Sequence, residues 1–151
     1  MKQGASLFAV ICIAVFISGI SSAQAAEYRA VGAQPAILYD APSYNGRKVF
    51  IAPGGMPVEV ILTQDGWSKI RDASGDLSWI EANALTTQRS VVVTAANTGL
   101  YSTPDQHAAL LATLERGVLL ALLSPGPTAW LKVMHRDGET GFVRAADVWG
   151  E

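Results

Sequence analysis

The chain has 151 residues, of which 50% are hydrophobic and 16% are charged, and its formal net charge at pH 7 is −2. This length and balance are typical of one or two small globular domains. No cluster of basic residues appears, so the sequence lacks the electrostatic pattern of proteins that bind nucleic acid or anionic surfaces, and we expect no nucleic acid among its partners.

Residues 1–25 have the three parts of a secretory signal peptide: a basic start at Lys2, an uncharged apolar stretch over 7–20, and the small-residue exit Ala23-Gln24-Ala25. The alternative is an uncleaved anchor, because the apolar stretch is only slightly shorter than a membrane-spanning helix. The exit motif and the polar Glu27 that follows favour cleavage near Ala25. We therefore expect a periplasmic or secreted protein with no membrane span after cleavage.

The single cysteine, Cys12, lies within that apolar stretch. It is preceded by Ile11 and is far from the exit motif, so the pattern of a lipoprotein is missing. After cleavage the protein contains no thiol. This excludes disulfides, cysteine-ligated metals and cysteine nucleophiles from the exported part.

From Ala36 onward the pattern predicts short β-strands separated by turns. Apolar and β-branched runs alternate with segments rich in Gly, Pro, Asp and Ser. The turn segments are, in chain order, 53–55, 65–66, 72–76, 124–127 and 137–138. Two further stretches, 82–85 and 145–148, each predict a single helical turn.

The same elements occur twice. Residues 38–42 (Leu-Tyr-Asp-Ala-Pro) recur as 100–104 (Leu-Tyr-Ser-Thr-Pro), and 67–70 (Trp-Ser-Lys-Ile) recur as 130–133 (Trp-Leu-Lys-Val). A repeat of this length with strand-like content predicts two small similar domains. We expect an all-β fold in which residues 28–86 and 90–150 each form a small closed β-barrel of five or six strands.

One stretch of the second repeat admits two interpretations. Residues 108–116 are rich in Ala and Leu, which is typical of a helix. Their alignment with residues 47–55 of the first repeat favours a strand. Because units of this size are marginally stable alone, we also expect the two barrels to pack together as a fixed pair.

Each repeat resembles a bacterial SH3 (SH3b) domain. The motifs are a Leu-Tyr-x-x-Pro start, a Gly before an apolar strand, a Trp-x-x-[Ile/Val] strand and a Gly-[Trp/Phe]-[Ile/Val] close, present as 141–143 in the second repeat and with Ser78 for the glycine in the first. The tandem is similar to exported SH3-like proteins of Gram-negative bacteria, including their Asp-[Leu/Val]-Trp-Gly ending at 147–150. The first loops lack the Asn and Arg of many SH3b domains, so ligand contacts of that arginine do not transfer. The resemblance implies a small β-barrel and a binding role, often at the cell wall.

The inventory of reactive residues is poor. His107 falls in a predicted turn and His135 at the end of a predicted strand, and both are expected to be solvated surface residues. No nucleophile elbow, His-Glu-x-x-His motif or phosphate-binding glycine loop is present. Asp72 and Asp76 suggest a calcium loop, but the remaining carboxylates of such a loop are missing, so a polar hairpin turn is the better interpretation. We expect no catalytic residue, no cofactor, no metal site and no enzymatic activity.

The aromatic residues suggest a surface. Side chains alternate between the two faces of a strand, so if Ile70 faces the barrel interior, Trp67 lies at least partly outside. Adjacent residues also face oppositely, which separates Trp79 from Ile80. The same parity applies in the second repeat, and nearby tyrosines and Lys69 add polar groups. The candidate ligand-binding residues are therefore Tyr39, Trp67, Lys69, Trp79, Tyr101, Trp130 and Phe142.

Aromatic faces with polar tips suit sugar rings or short peptides. The leading hypothesis is thus a non-enzymatic envelope protein that recognises peptidoglycan, through its stem peptide or its glycan. The alternative is that the rings only cover the barrels or join them, and that the protein is an adaptor for another envelope protein with no cell-wall ligand. Trp149 is expected to anchor the C-terminal tail to the second barrel.

Overall fold

The structure is a computed structural model that describes residues 25–125 and 129–151. The predicted signal peptide lies outside the described residues except for its last residue, and so do three residues that include part of the predicted 124–127 turn. The described residues form two antiparallel sheets of seven strands each, joined by short loops and two single 3₁₀ turns. The expected all-β fold with two tandem SH3-like barrels is confirmed, although each sheet has seven strands where five or six were expected, because a two-residue strand closes each unit.

The first sheet contains seven strands in the order β3-β2-β6-β5-β4-β1-β7. Their bounds are β1 Glu27–Val31, β2 Ala36–Tyr39, β3 Lys48–Ala52, β4 Pro57–Gln64, β5 Trp67–Arg71, β6 Leu77–Glu81 and β7 Leu85–Thr86. The predicted helical turn is a 3₁₀ turn at Ala82–Ala84.

The second sheet repeats this arrangement in the order β10-β9-β13-β12-β11-β8-β14. Its strands are β8 Ser90–Val93, β9 Asn97–Tyr101, β10 Leu110–Glu115, β11 Leu119–Pro125, β12 Trp130–Met134, β13 Thr140–Arg144 and β14 Val148–Trp149, with a 3₁₀ turn at Ala145–Asp147. The helical interpretation of 108–116 is therefore wrong. Strand pairing with β9 decides the conformation there, against the local helix propensity of Ala and Leu.

Each unit has its own apolar core, formed by the inward-facing residues of its strands. Leu38, Ile70 and Ile80 fill the first core, and Leu100 and Val143 have the equivalent places in the second. Burying a side chain of this size contributes about 1.5–3 kcal/mol, and this contribution sets which face of each strand turns inward. The aromatic residues next to these positions are therefore directed outward.

Two turns of the first unit show why the hairpins form where they do. Asp65 and Gly66 have φ angles of 50° and 81°, as a two-residue hairpin turn requires. The Asp72 carboxylate accepts hydrogen bonds from the backbone N–H groups of Ser74 (2.8 Å) and Asp76 (3.0 Å). The stretch 72–76 is thus the polar hairpin turn that we predicted in preference to a calcium loop.

The two units contact each other through β1 and the chain around residues 89 and 149. The hydroxyl of Ser90 donates a 2.6 Å hydrogen bond to the carbonyl oxygen of Gly55. The rings of Tyr28 and Trp149 meet edge to face with centroids 5.3 Å apart, and the Arg89 guanidinium lies 5.9 Å from the Tyr28 centroid. Trp149 does pair with Val92 within the second sheet, as expected of a C-terminal anchor, but its ring also joins the second unit to the first.

Candidate functional site

The outer face of strands β2, β5 and β6 carries the aromatic residues of the first unit. Strand register places Lys69 opposite Trp79, and Trp79 opposite Tyr39. Trp67 lies two residues from Lys69, so it shares that face, opposite Glu81. Ser68 and Ile70, which alternate with them, are buried inside the barrel. The predicted outward direction of Trp67 is confirmed.

Two pairs of these side chains interact. The rings of Tyr39 and Trp67 are perpendicular, with centroids 5.3 Å apart, and the Nζ atom of Lys69 lies 6.0 Å from the Trp79 centroid. Perpendicular packing of aromatic rings is favourable because the positive edge of one ring meets the negative face of the other. The register of three strands therefore assembles one aromatic row.

A residue that the sequence analysis did not single out covers this row. Tyr44, in the loop between β2 and β3, has its ring centroid 5.2 Å from that of Trp67 and 6.4 Å from that of Tyr39. Its hydroxyl donates a 2.8 Å hydrogen bond to Oε2 of Glu81, and this bond raises the pKa of Tyr44 above its ordinary value of 10.0. Tyr44 is thus held over Trp67 by two rings and a carboxylate.

The loop that carries Tyr44 has its own support. The Asp40 carboxylate accepts a 2.8 Å hydrogen bond from the backbone N–H of Arg47 and a 3.3 Å bond from its Nε, which ties the two ends of the loop together. With Tyr44 in place, Trp67 is only 8% exposed although it faces outward. The outward direction of Trp67 agrees with the prediction. The prediction that this ring is partly exposed is wrong, because a loop residue shields it.

The second unit builds the same row from Tyr101, Trp130 and Phe142. Lys132 is opposite Phe142, Phe142 is opposite Tyr101, and Trp130 is opposite Arg144. The rings of Tyr101 and Trp130 lie at 88° to each other with centroids 5.6 Å apart, almost as in the first unit. Both rings are half-buried here, whereas Tyr39 and Trp67 are buried.

A cleft of about 330 Å³ adjoins Trp130. It is lined by Trp130 and Ala129, by Arg144, and by Pro104, Asp105 and Gln106 of the loop between β9 and β10. Counting from the paired Leu38 and Leu100, Gln106 has the position of Tyr44, so no ring at that place covers Trp130. The space that Tyr44 fills in the first unit is therefore part of a cleft in the second.

The two charged groups of this cleft differ in their partners. Oδ1 of Asp105 accepts the backbone N–H of His107 at 2.8 Å and lies 3.1 Å from the ring Nδ1 of the same residue. These contacts lower the pKa of Asp105 below its ordinary value of 3.8. The ion pairs found among the described residues do not include Arg144. Its exposed guanidinium is thus the cationic group available to a ligand in the cleft.

The larger clefts lie elsewhere and contain none of the candidate rings. One of about 510 Å³ is lined by residues of both units, including Arg89 and His135, and one of about 670 Å³ includes Phe50 and Leu119. Their size alone does not make them binding sites, because they lack the aromatic stacking surface that the candidate residues form. The aromatic contacts of Trp67 and Trp130 are made within their own units, so these rings do not serve to join the barrels.

Neither histidine lies in an arrangement typical of catalysis. His107 contacts Asp105, and Nδ1 of His135 lies 2.9 Å from Oδ2 of Asp137, each within a surface loop. Over residues 25–125 and 129–151, no group of three or more His, Cys, Asp or Glu side chains is arranged to hold a metal. No helix in the described part of the chain has the length and hydrophobicity needed to cross a membrane.

Comparison with known proteins gives a family match. The family described as "Bacterial SH3 domain" matches residues 32–86 and, a second time, residues 94–150. No curated protein matches the sequence significantly.

Solved structures give more distant similarities. NlpC2 and NlpC1 from Trichomonas vaginalis are 13% and 12% identical to the chain, with TM-scores of 0.39 and 0.40, over 86% and 92% of this chain and 50% and 51% of their own. An NlpC/P60 family protein from Bacillus cereus is 18% identical with a TM-score of 0.38, over 82% of this chain and 56% of its own. The chain thus spans about half the length of these structures.

Proposed function

The chain belongs to the bacterial SH3 domain family, and on that premise we propose that it is a non-enzymatic binding protein of the cell envelope that recognises peptidoglycan. The exported chain, which begins near Ala26, presents its outward-facing aromatic residues to the wall. The ligand is the stem peptide or the glycan. The observation that carries this proposal is the outward-facing row of Tyr101, Trp130 and Phe142 beside an open cleft.

The chemistry of the rows supports a ligand built from sugars and short peptides. Aromatic rings offer contact area with few rotatable bonds, so little conformational entropy is lost on binding. The lysines opposite Trp79 and Phe142 add hydrogen-bond donors at the edge of each row. A repetitive polymer such as peptidoglycan also compensates for weak individual contacts, because many equivalent sites lie close together.

Co-sedimentation of the exported chain with purified sacculi tests the proposal. We expect the wild-type protein to pellet with sacculi, and the double variant Trp67→Ala/Trp130→Ala to remain in the supernatant. The matched control is Arg136→Ala, an exposed residue of the second unit that lies outside the aromatic row. Far-ultraviolet circular dichroism and thermal unfolding check that each variant is folded. A wild-type protein that stays in solution at every salt concentration contradicts the proposal.

An adaptor role for another envelope protein is the second candidate, and one observation favours it. Strands β3 and β10 are the outermost strands of their sheets, and they expose large apolar side chains, with Ile51 68% and Leu110 56% exposed. Such edges are able to pair with a strand of another protein. In this case Ile51→Lys would abolish capture of a defined partner from envelope extracts and leave sedimentation with sacculi unchanged.

A further inference from the structure

We propose that the two units have different roles: the second unit binds the ligand, with Arg144 holding a carboxylate of a short peptide, and the first unit is closed by its own Tyr44. This inference rests on the proposed function for the source of the peptide, which is the peptidoglycan stem. It goes further in naming which unit binds and which chemical group is recognised.

The two rows share three of their residues. Tyr39 and Tyr101, Trp67 and Trp130, and Lys69 and Lys132 are identical pairs in equivalent register. Two neighbouring positions differ in a way that changes the chemistry. Tyr44 is replaced by Gln106, and Glu81 is replaced by Arg144. Both replacements border the same space beside the tryptophan at the centre of each row, Trp67 in the first unit and Trp130 in the second (the central tryptophan).

In the first unit that space is already occupied. The Tyr44 ring packs on Trp67, and its hydroxyl bonds to Glu81 at 2.8 Å. An incoming ligand must displace this ring and break the hydrogen bond before it reaches Trp67. The carboxylate of Glu81 would then face it, and this charge repels an anionic ligand. An anion is therefore kept from Trp67 first by the Tyr44 ring and then by the charge of Glu81.

In the second unit the equivalent space is open, and the residue opposite the tryptophan is positively charged where the first unit has a negative one. Trp130 and Arg144 are directly opposed on adjacent strands, so the guanidinium lies beside the stacking surface. A guanidinium binds a carboxylate through two parallel hydrogen bonds, which gives this residue its preference for planar anions. Lys132, two residues from Trp130 on the same face, adds a second positive charge.

A carboxylate in the same cleft limits which anions fit. Asp105 lines the cleft together with Arg144, and hydrogen bonds from His107 lower the pKa of its carboxyl group. A free anion gains from Arg144 but is repelled by Asp105. A peptide end suits both groups, since its carboxylate binds Arg144 while its amide N–H groups are donors for Asp105. The arrangement thus favours a peptide carboxylate over a simple inorganic anion.

The test uses the indole N–H signals of the four tryptophans in a ¹H–¹⁵N correlation spectrum, titrated with muropeptides released from sacculi. We expect the Trp130 signal to move and saturate while the Trp67 signal stays in place. Muropeptides whose carboxyl groups have been converted to amides should bind about tenfold or more weakly, because a charge-assisted hydrogen bond is lost. A separate titration with acetate alone is the control for non-specific anion binding.

Three variants sharpen the test. Arg144→Glu should weaken binding of the free acid by about tenfold or more and leave binding of the amide almost unchanged. Its matched control, Glu81→Arg in the first unit, should leave the affinity of Trp130 for the acid unchanged. The double variant Tyr44→Gln/Glu81→Arg gives the first unit the glutamine and the arginine of the second cleft, and we expect its Trp67 signal to respond to muropeptides.

Each outcome bears on the inference separately from the proposed function. A response of Trp67 without Trp130, equal affinity for acid and amide, a matching response to acetate, or no Trp130 response at any soluble concentration would each overturn it. Sedimentation with sacculi tests the proposed function independently. Wild-type protein that pellets with sacculi supports wall binding, whichever unit binds and whether or not a carboxylate is recognised. A soluble muropeptide that binds at Trp130 while sacculi do not pellet the protein would support the inference and contradict wall attachment.

Discussion

The two units share strand order, register and an aromatic row, yet they differ in how open that row is. Tyr39 and Trp67 are buried at 5% and 8% exposure beneath Tyr44, whereas Tyr101 and Trp130 are half-buried beside a cleft. The charge that faces the central tryptophan also changes sign, from Glu81 to Arg144. None of the residues responsible contributes to either apolar core.

This difference shows that access to the row depends on surface positions that folding leaves free to vary. Core residues are constrained by packing, while loop residues and outward-facing strand residues tolerate change. One loop residue and one strand charge are enough to give two similar barrels different surfaces. The predictions below test how independent the units are and how far the difference between them extends.

The largest effect is expected for truncation of the equivalent core leucines. Leu38→Ala and Leu100→Ala should each lower the free energy of unfolding by about 2–5 kcal/mol, because each leaves a cavity in a small core. Urea unfolding followed by circular dichroism measures this. If the barrels fold as a fixed pair, each variant shifts one common transition. Two separate transitions, each sensitive only to its own leucine, would contradict the fixed pair.

The contact between the units is tested by Trp149→Ala. Loss of the edge-to-face contact with Tyr28 should cost roughly 1–3 kcal/mol, since Trp149 is only half-buried. Trypsin should also cut after Arg89 faster than in the wild type. Trp79→Ala is the control, because it removes a half-buried ring of the same kind from outside this contact. Equal cleavage rates in both variants would show that Trp149 does not hold the units together.

Removal of the covering ring should expose the first row. Tyr44→Ala should raise the accessibility of Trp67 to acrylamide quenching and lower the stability of the first unit slightly, because an aromatic pair is lost. The equivalent change, Gln106→Ala, should alter stability by less than about 0.5 kcal/mol. Unchanged quenching in Tyr44→Ala would show that another group shields Trp67.

At alkaline pH, Tyr44 of the first unit should lose its proton only above the ordinary pKa of tyrosine. Because the hydrogen bond to Glu81 raises the pKa of Tyr44 in the folded protein, its stabilisation is fully present below the ordinary value of 10.0 and is lost as pH rises through the folded pKa. Tyrosinate absorbance measures this titration. Glu81→Gln removes the carboxylate, and Tyr44 should then titrate nearer its ordinary value.

At acidic pH the smallest effect is expected in the second unit. Hydrogen bonds from His107 lower the folded pKa of Asp105, so their stabilisation is present above the ordinary value of 3.8 and is lost as pH falls through the folded pKa. Carboxyl chemical shifts of Asp105 follow this change. His107→Ala keeps the backbone N–H but removes the ring, so the pKa should move only part of the way back.

The sequence by itself determined the architecture because packing and turn formation depend on local patterns that are visible in the chain. The repeated runs around Leu38 and Leu100 predicted two similar β units, and the Asp65-Gly66 pair predicted a tight hairpin. Alternation along a strand also placed Trp67 and Trp130 on the outer face, since inward and outward directions follow from a period of two.

Only the tertiary structure decided which of these outward rings is accessible. Tyr44 lies in a loop between β2 and β3, and no local rule relates it to Trp67 or to Glu81, which is 37 residues away in the chain. The aligned repeats do differ at two positions, where Tyr44 corresponds to Gln106 and Glu81 to Arg144. These differences can be interpreted only when it is known that the two positions lie side by side in the folded unit. The packing of three strands and one loop decides this, because it brings residues that are distant in the sequence to a common surface.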